Sequence, residues 1–352
     1  MLLCPDSHGW LGSFPRHFEL GQSAEVLSSR GSELWNPKAK MTVETLLRDW
    51  QSEAMSAVMK FPNSDLDLTE AEVTKIKKIG RRNLTLSLTN NFSLQCERAI
   101  FCTGVGPEMD LTASGVTFWN YPTGPRVTLN ETTTALKAIA QPNASFRGQS
   151  VLVYGGGATA AWVAEIAIAN GAKDVRWVAE RGFEGANPGG RNNEVMALTK
   201  DVRRNGKIKT IKYMGDLASG SGLEAVLALP DTGKSEVWKS DRIIAATGSN
   251  PLASTGILSV LGLLYQELQP VHRGGGFFAC DSDASIIVTS TPLSFDSVKF
   301  GSDFKSVLVK LPEEARVPAG ILTARLSATA VAEFVAEEQS KVASVEKETK
   351  DK

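Results

Sequence analysis

Residues Ser150 to Arg181 constrain what this chain can fold into more than any other stretch. Val151-Leu152-Val153-Tyr154 is a short apolar run, Gly155-Gly156-Gly157-Ala158-Thr159-Ala160 a glycine turn, and a helical run follows that closes at Gly171. Asp174-Val175-Arg176-Trp177-Val178-Ala179-Glu180-Arg181 is then a second strand ending in an acid. The glycine spacing fits G-x-G-x-x-A, the dinucleotide fingerprint with alanine at its last small position. Each position has a physical task. Gly155 lets the chain turn sharply out of the strand, and Gly157 lets backbone N–H groups approach a pyrophosphate without a Cβ in the way. Ala160 is small enough for close helix–strand packing, and the phosphates would sit at the positive end of the helix starting near Ala158 and Thr159. Glu180 stands where a carboxylate accepts hydrogen bonds from adenosine ribose hydroxyls. The order of strand, turn, helix, strand and acid predicts a nucleotide-binding Rossmann unit; the alternative is a plain glycine turn joining a buried strand to a helix.

A chain of 352 residues suggests two domains with ample core. A net charge of −1 leaves no basic excess to neutralise phosphates, which argues against a nucleic-acid partner. No apolar run approaches the length of a membrane span, and Met1-Leu2-Leu3-Cys4 meets Pro5-Asp6 too soon for a signal-peptide core. Four cysteines without C-x-x-C spacing, and three histidines, suggest neither a zinc site nor a disulfide framework. Cys96 and Cys102 read as buried thiols, and the expected compartment is the cytoplasm.

Residues 1 to 40 are irregular, with short strands such as His17–Leu20. Thr42 to Phe61 has the spacing of an amphipathic helix. Leu84, Leu86 and Leu88 alternate with polar residues, Asn90-Asn91 turns the chain, and Phe92, Leu94 and Cys96 follow as a hairpin partner. Arg98 to Gly104 then reads as a buried parallel strand. Gly115 to Arg126 looks like a connector, Asn130 caps a predicted helix through Ala140, and a further helix is expected over Glu194 to Arg204. Strands are expected near 208–213, 223–229, 236–239 and 242–248, then 276–280 and 286–289. A last helix is predicted over 320–337, before a charged flexible tail at 341–352. One pattern occurs twice: a hairpin, an arginine, four apolar residues and Thr-Gly, ending at Gly104 and again at Gly248.

Arg242-Ile243-Ile244-Ala245-Ala246-Thr247-Gly248-Ser249-Asn250-Pro251 resembles the A-T-G-x-x-P strand of two-dinucleotide-domain flavoproteins, the pyridine nucleotide–disulfide reductases and flavin-dependent monooxygenases. Phe101-Cys102-Thr103-Gly104-Val105-Gly106-Pro107 is similar to the earlier copy of that strand. The resemblance implies an α/β fold in which a Rossmann-like nicotinamide domain, residues 127–249, is inserted in an FAD-domain-like part formed by 1–126 and 250–340. It also implies that Thr247 and Gly248 line the nicotinamide site. Two elements of the family are missing: the early G-x-G-x-x-G loop for the FAD pyrophosphate, and the late Gly-Asp, for which Gly301-Ser302-Asp303 is the nearest match. The redox cysteine pair is absent too, which sets disulfide reduction aside.

Glu180 favours NAD, because a carboxylate accepts from a 2′-hydroxyl and repels a 2′-phosphate, whereas Arg181 and Arg191 could clamp the phosphate of NADP. Trp162, where the reductases often have an acid, could narrow the nicotinamide pocket or pack in the core. No catalytic constellation and no metal cluster stands out. The expectation is an NAD(P)H-dependent flavoprotein-type oxidoreductase, monooxygenase-like, acting on a small molecule. In it a partner subunit or a homo-oligomer would cover the incomplete FAD-like domain. The alternatives are a flavin-free relative and a non-catalytic subunit of a redox complex.

Overall fold

The computed structural model describes residues 2–4, 19–23, 40–46, 48–49, 52, 56, 68–104, 108–112, 114–119, 132–135, 138, 146–183, 191–214, 222–230, 232–249, 257–289, 293, 296, 298–303 and 321–350. In chain order the strands are β1 (Leu2–Cys4), β2 (Glu19–Ser23), β3 (Lys40–Thr42), β4 (Leu68–Glu70), β5 (Val73–Gly80), β6 (Asn83–Leu88), β7 (Ser93–Cys96), β8 (Ala99–Phe101), β9 (Thr117–Trp119) and β10 (Thr132–Thr134). They continue with β11 (Ser150–Tyr154), β12 (Asp174–Ala179), β13 (Arg203–Asn205), β14 (Lys207–Tyr213), β15 (Leu223–Ala228), β16 (Ser235–Ser240), β17 (Arg242–Ala245), β18 (Gln269–Arg273), β19 (Gly276–Cys280) and β20 (Ile286–Thr289). The helices are α1 (Ala158–Ala169), α2 (Arg191–Leu198), α3 (Ile257–Leu261), α4 (Leu264–Glu267) and α5 (Ile321–Lys350).

The chain forms two compact units, one of Met1–Trp10, Trp50–Pro107 and Asn250–Lys352, the other of Leu11–Asp49 and Glu108–Ser249. The unit expected to start at residue 127 thus also takes in residues 108–126, and Leu11–Asp49 from the stretch expected to be FAD-domain-like. The physical reason is β9: part of the stretch read as a connector pairs in parallel with β14 and belongs to the insert's own sheet.

In the inserted unit a five-stranded parallel sheet runs β10-β17-β11-β12-β13. Val151, Leu152 and Val153 of β11 are fully buried, as befits a parallel strand covered on both faces. A second sheet, β16-β15-β14-β9, lays Ile208, Ile211, Leu223, Ala225 and Leu227 against Leu152, Tyr154 and Val178 of the first. At its margin the Arg176 guanidinium sits 3.6 Å over the Trp238 ring and pairs with Glu236. Two expectations are corrected here. Thr132–Thr134 is strand, not helix, paired with Ile243–Ala245; three β-branched residues suit an extended edge better than a helix. The helix expected to reach Arg204 stops at Leu198, and Arg203–Asn205 becomes β13 beside β12.

The flanking unit repeats the plan in part. β5-β6-β7 is an antiparallel meander with Leu84, Leu86 and Leu88 turned inward, and Asn91 (φ 62°) makes the expected turn. It leads to β8 in the sheet β18-β19-β20-β8, just as the β14-β15-β16 meander leads to β17. Ile100 at the centre of β8 is 47% exposed, so the strand is not buried on both faces as its sequence suggested, and Cys102 is exposed as well. Of the helix expected over Thr42–Phe61, helical backbone is described at 43–46, 48–49, 52 and 56; the remainder lies outside the described residues.

Helix α5 lies against β19 so closely that a Cβ on Gly276 would come within 2.3 Å of the Leu326 carbonyl oxygen. Phe278, Cys280, Ile287, Ala330 and Val331 share one core cluster at that contact. The helix continues to Lys350, which corrects the expectation of a flexible tail from residue 341. Lys341 pairs with Glu338 one turn earlier, at 2.8 Å, an i,i+3 contact that supports a polar helix end. Among the described residues, no helix is long and apolar enough to cross a membrane.

One polar knot ties this unit together. Asp281 is fully buried and accepts from the backbone N–H groups of Ser285 and Ile286, the Ser285 hydroxyl at 2.6 Å and the Lys78 ammonium at 2.6 Å. Lys78 reaches Asp283 as well, at 2.8 Å.

Candidate functional site

The turn from β11 into α1 is built by three glycines that do different work. Gly155 has φ +144°, and a Cβ on it would lie 1.9 Å from the Ala246 carbonyl oxygen. A Cβ on Gly156 would lie 2.5 Å from the Gly182 carbonyl oxygen. Both must be glycine for the protein's own packing. Gly157 is another matter. Its backbone is extended (φ −97°, ψ 175°), a conformation open to any residue, and among the described residues nothing lies within 4 Å of a Cβ built there. Packing among the described residues therefore does not demand glycine there, although glycine suits the helix N-cap it occupies.

Gly157 is also the N-cap of α1, and no side chain caps that end. Its carbonyl accepts from the Ala160 N–H at 3.1 Å, while Ala158 and Thr159 open the first turn with no acid in it. Ala160 and Ala161 are fully buried, which seats α1 tightly on the sheet, as expected for Ala160. Trp162 is half-buried. The first turn therefore offers backbone donors and the positive end of the helix dipole to an anion.

The sheet brings the second predicted motif to the same place. β17 is hydrogen-bonded to β11, and the Ala246 N–H donates to the Tyr154 carbonyl at 2.7 Å. Thr247 and Gly248 follow at once. The Thr247 hydroxyl donates to the Met109 carbonyl at 3.0 Å, and the Gly248 carbonyl accepts from the Met109 N–H at 2.9 Å. Those two residues thus fasten the loop beside the glycine turn.

Glu180 leaves the end of β12, 47% exposed, and its carboxylate is held by the Lys207 ammonium at 2.8 Å. Burial, and then the Glu180 charge, push the phenol of nearby Tyr154 up from its ordinary value. Arg181 follows in an exposed turn. Arg191 begins α2, and the placement of its side chain lies outside the described residues, as does the loop 184–190 before it.

Two contributors escaped the sequence reading. Trp177 is fully buried under the loop and donates its indole N–H to the Gly155 carbonyl at 2.6 Å, with Phe183 edge-on at 4.7 Å. Lys207 reaches Glu180 because Gly206 donates its N–H to the Ala179 carbonyl at 3.0 Å, which folds the start of β14 back against the end of β12. The apolar run around Trp177 signals burial without direction, and nothing local marks Lys207.

The flanking unit does not offer FAD a matching cradle in its described residues. β17 is flanked by β10 and by the glycine-turn strand β11; its counterpart β8 pairs, among the described residues, with β20 alone. Asp303, the nearest match to the family's late acid, bonds His272 at 2.9 Å. That histidine is on β18, at the opposite edge of the sheet from β8 and two strands away from β20, whose end would carry a flavin-facing acid.

No protein-family model matches the sequence, and no curated protein matches it either. Solved structures do. The bacillithiol disulfide reductase Bdr from Staphylococcus aureus aligns over 93% of this chain and 86% of its own, with a TM-score of 0.54 and 14% identity. A flavin-containing monooxygenase from Stenotrophomonas maltophilia aligns over 92% and 86%, with a TM-score of 0.53 and 13% identity. The FAD-bound cadaverine monooxygenase of desferrioxamine biosynthesis from Erwinia amylovora aligns over 93% and 87%, at 0.50 and 11%. At such identities the likeness shows the fold, and that fold is the two-domain plan of the FAD- and nicotinamide-binding reductases and monooxygenases.

Proposed function

We propose that this chain is an NAD(P)H-dependent oxidoreductase of the flavoprotein type, acting on a small molecule, with the dinucleotide lying across the Gly155–Ala160 turn. Gly157 carries the reading: no described residue packs into the space its missing side chain leaves, and a pyrophosphate crossing the helix start would use that space. Gly155 and Gly156 shape the turn, the first turn of α1 faces the phosphates, and Glu180 stands at the adenosine end. When bound, the nicotinamide supplies a hydride.

Fluorescence titration of NADPH and NADH against wild type and Gly157→Val tests this. The variant is expected to stay folded, with a melting temperature lowered by only a few degrees for the poorer N-cap, and to lose binding of both cofactors. Undiminished affinity in a folded Gly157→Val protein sinks the reading.

Flavin chemistry is a separate matter, because the described part of the flanking unit does not fit FAD. Under the flavoprotein reading, a partner subunit or a second copy completes that cradle. Under the second reading, favoured by the pairing of β8 with β20 alone among the described residues and by the engagement of Asp303 by His272, the protein works without flavin. The visible absorbance of the purified protein after adding FAD and gel filtration separates them. Stoichiometric yellow protein is expected under the first reading, colourless protein under the second.

A further inference from the structure

Beside Glu180 the surface opens into a cavity of about 330 Å³, lined by Glu180, Gly206, Lys207, Lys209, Lys234 and Ser235 among others. It lies between the end of β12, the start of β14 and the turn joining β15 to β16. Three lysines and one glutamate line it, so its charge is positive overall. That balance bears on which cofactor the loop can take. A lone carboxylate at the end of β12 repels a 2′-phosphate. Here the carboxylate is already held by Lys207 at 2.8 Å, which cancels the repulsion at its source. Lys209 and Lys234 then add attraction for any dianion entering the same cavity.

We infer that Lys207 determines the choice of nicotinamide dinucleotide, and that it selects the 2′-phosphorylated cofactor. This rests on the reading that the Gly155–Ala160 turn holds a dinucleotide. It reverses the preference that Glu180 suggests when the sequence is read alone. Lys207 would act in two ways: it neutralises Glu180, and its ammonium, 2.8 Å from that carboxylate, would meet a 2′-phosphate on a ribose bound by Glu180. The residue is invisible to a reading of the fingerprint, because it belongs to β14 and is folded back to β12 by the Gly206 N–H bond to the Ala179 carbonyl.

The test is a set of fluorescence titrations of the full chain with NADPH and with NADH, on wild type, Lys207→Met and Lys207→Arg. Wild type is expected to bind NADPH more tightly than NADH. Lys207→Met is expected to lower the ratio of NADPH to NADH affinity about tenfold or more, and Lys207→Arg to restore it. A purely structural lysine would weaken both cofactors equally and leave the ratio unmoved. That outcome, a selective loss of NADH in Lys207→Met, or a wild type that prefers NADH, overturns the inference while both cofactors still bind. A wild type that binds neither cofactor overturns the dinucleotide reading and this inference together, and is distinct from the other outcomes for that reason.

Discussion

Gly155→Ala is expected to destabilise the inserted unit by about 4 kcal/mol or more, lowering its melting temperature by roughly 8–16 °C. Two penalties add. At φ +144° an L residue is in a region that only glycine visits at ease, which costs about 1–3 kcal/mol. The new methyl would also have to displace backbone, since it would stand 1.9 Å from the Ala246 carbonyl oxygen and 2.5 Å from its carbon. A flexible side chain could swing aside; a carbonyl locked between β11 and β17 cannot. Any shift there would disturb the indole bond from Trp177 to the Gly155 carbonyl as well. Far-UV circular dichroism during heating reads the effect. An unmoved melt would mean that the turn is not built as described, and would weaken every inference drawn from the loop.

Asp281→Ala is expected to cost the flanking unit about 3–5 kcal/mol, the usual result of removing one partner from a buried ion pair. The loss strands Lys78 with Asp283 alone and leaves the Ser285 and Ile286 N–H groups without their acceptor. Asp281→Asn keeps an acceptor for those N–H groups and removes the charge, so a smaller loss of about 1–2 kcal/mol is expected. The same knot sets a pH window. Burial alone would raise the Asp281 pKa, but the Ile286 N–H, Lys78 and the Ser285 hydroxyl outweigh it and hold the carboxyl below its ordinary value of 3.8. Burial alone would lower that of Lys78, and Asp281 with Asp283 outweighs it, raising the ammonium above 10.5. A depressed carboxyl stabilises fully above its unfolded value and stops doing so as pH falls through its folded one. A raised ammonium stabilises fully below its unfolded value and fails as pH rises through its folded one. The charge pairing in the knot therefore contributes in full between about pH 4 and pH 10, and the melting difference between wild type and Asp281→Ala should narrow outside that window while the hydrogen-bonding part of it remains.

The parts of the fold legible in the sequence are those written in local periodicity. The Val151–Tyr154 run, the glycine turn, α1 and β12 follow from residue order alone, as does the alternation at Leu84, Leu86 and Leu88. So does the repeat of meander, arginine and Thr-Gly. What stayed hidden depends on partners far along the chain. Thr132–Thr134 is a strand because β17, more than a hundred residues later, offers it an edge. Arg203–Asn205 has no apolar pattern and is strand only because β12 pairs with it. At the site, the glycines and Glu180 were readable, whereas Trp177 beneath the loop and Lys207 against Glu180 are contacts of distant residues. Gly157 was singled out by the motif, but only the geometry separates it from Gly155 and Gly156, which the packing itself requires.

The two ends of the inserted unit are pinned to each other: Glu108 and Ser249 form an antiparallel bridge, and Met109 bonds the Gly248 carbonyl. β8 and β20, which must pair across a gap spanning the whole insert, thereby meet through a much shorter path once the insert has folded. The Thr289 hydroxyl bonds the Phe101 carbonyl from 188 residues away. Because the entropy of closing a loop grows with the logarithm of its length, a folded insert lowers that closure cost by about 1 kcal/mol. The stretch from Glu108 to Ser249 thus works as a clasp: its folded ends hold together the chain ends that lead into β8 and β20.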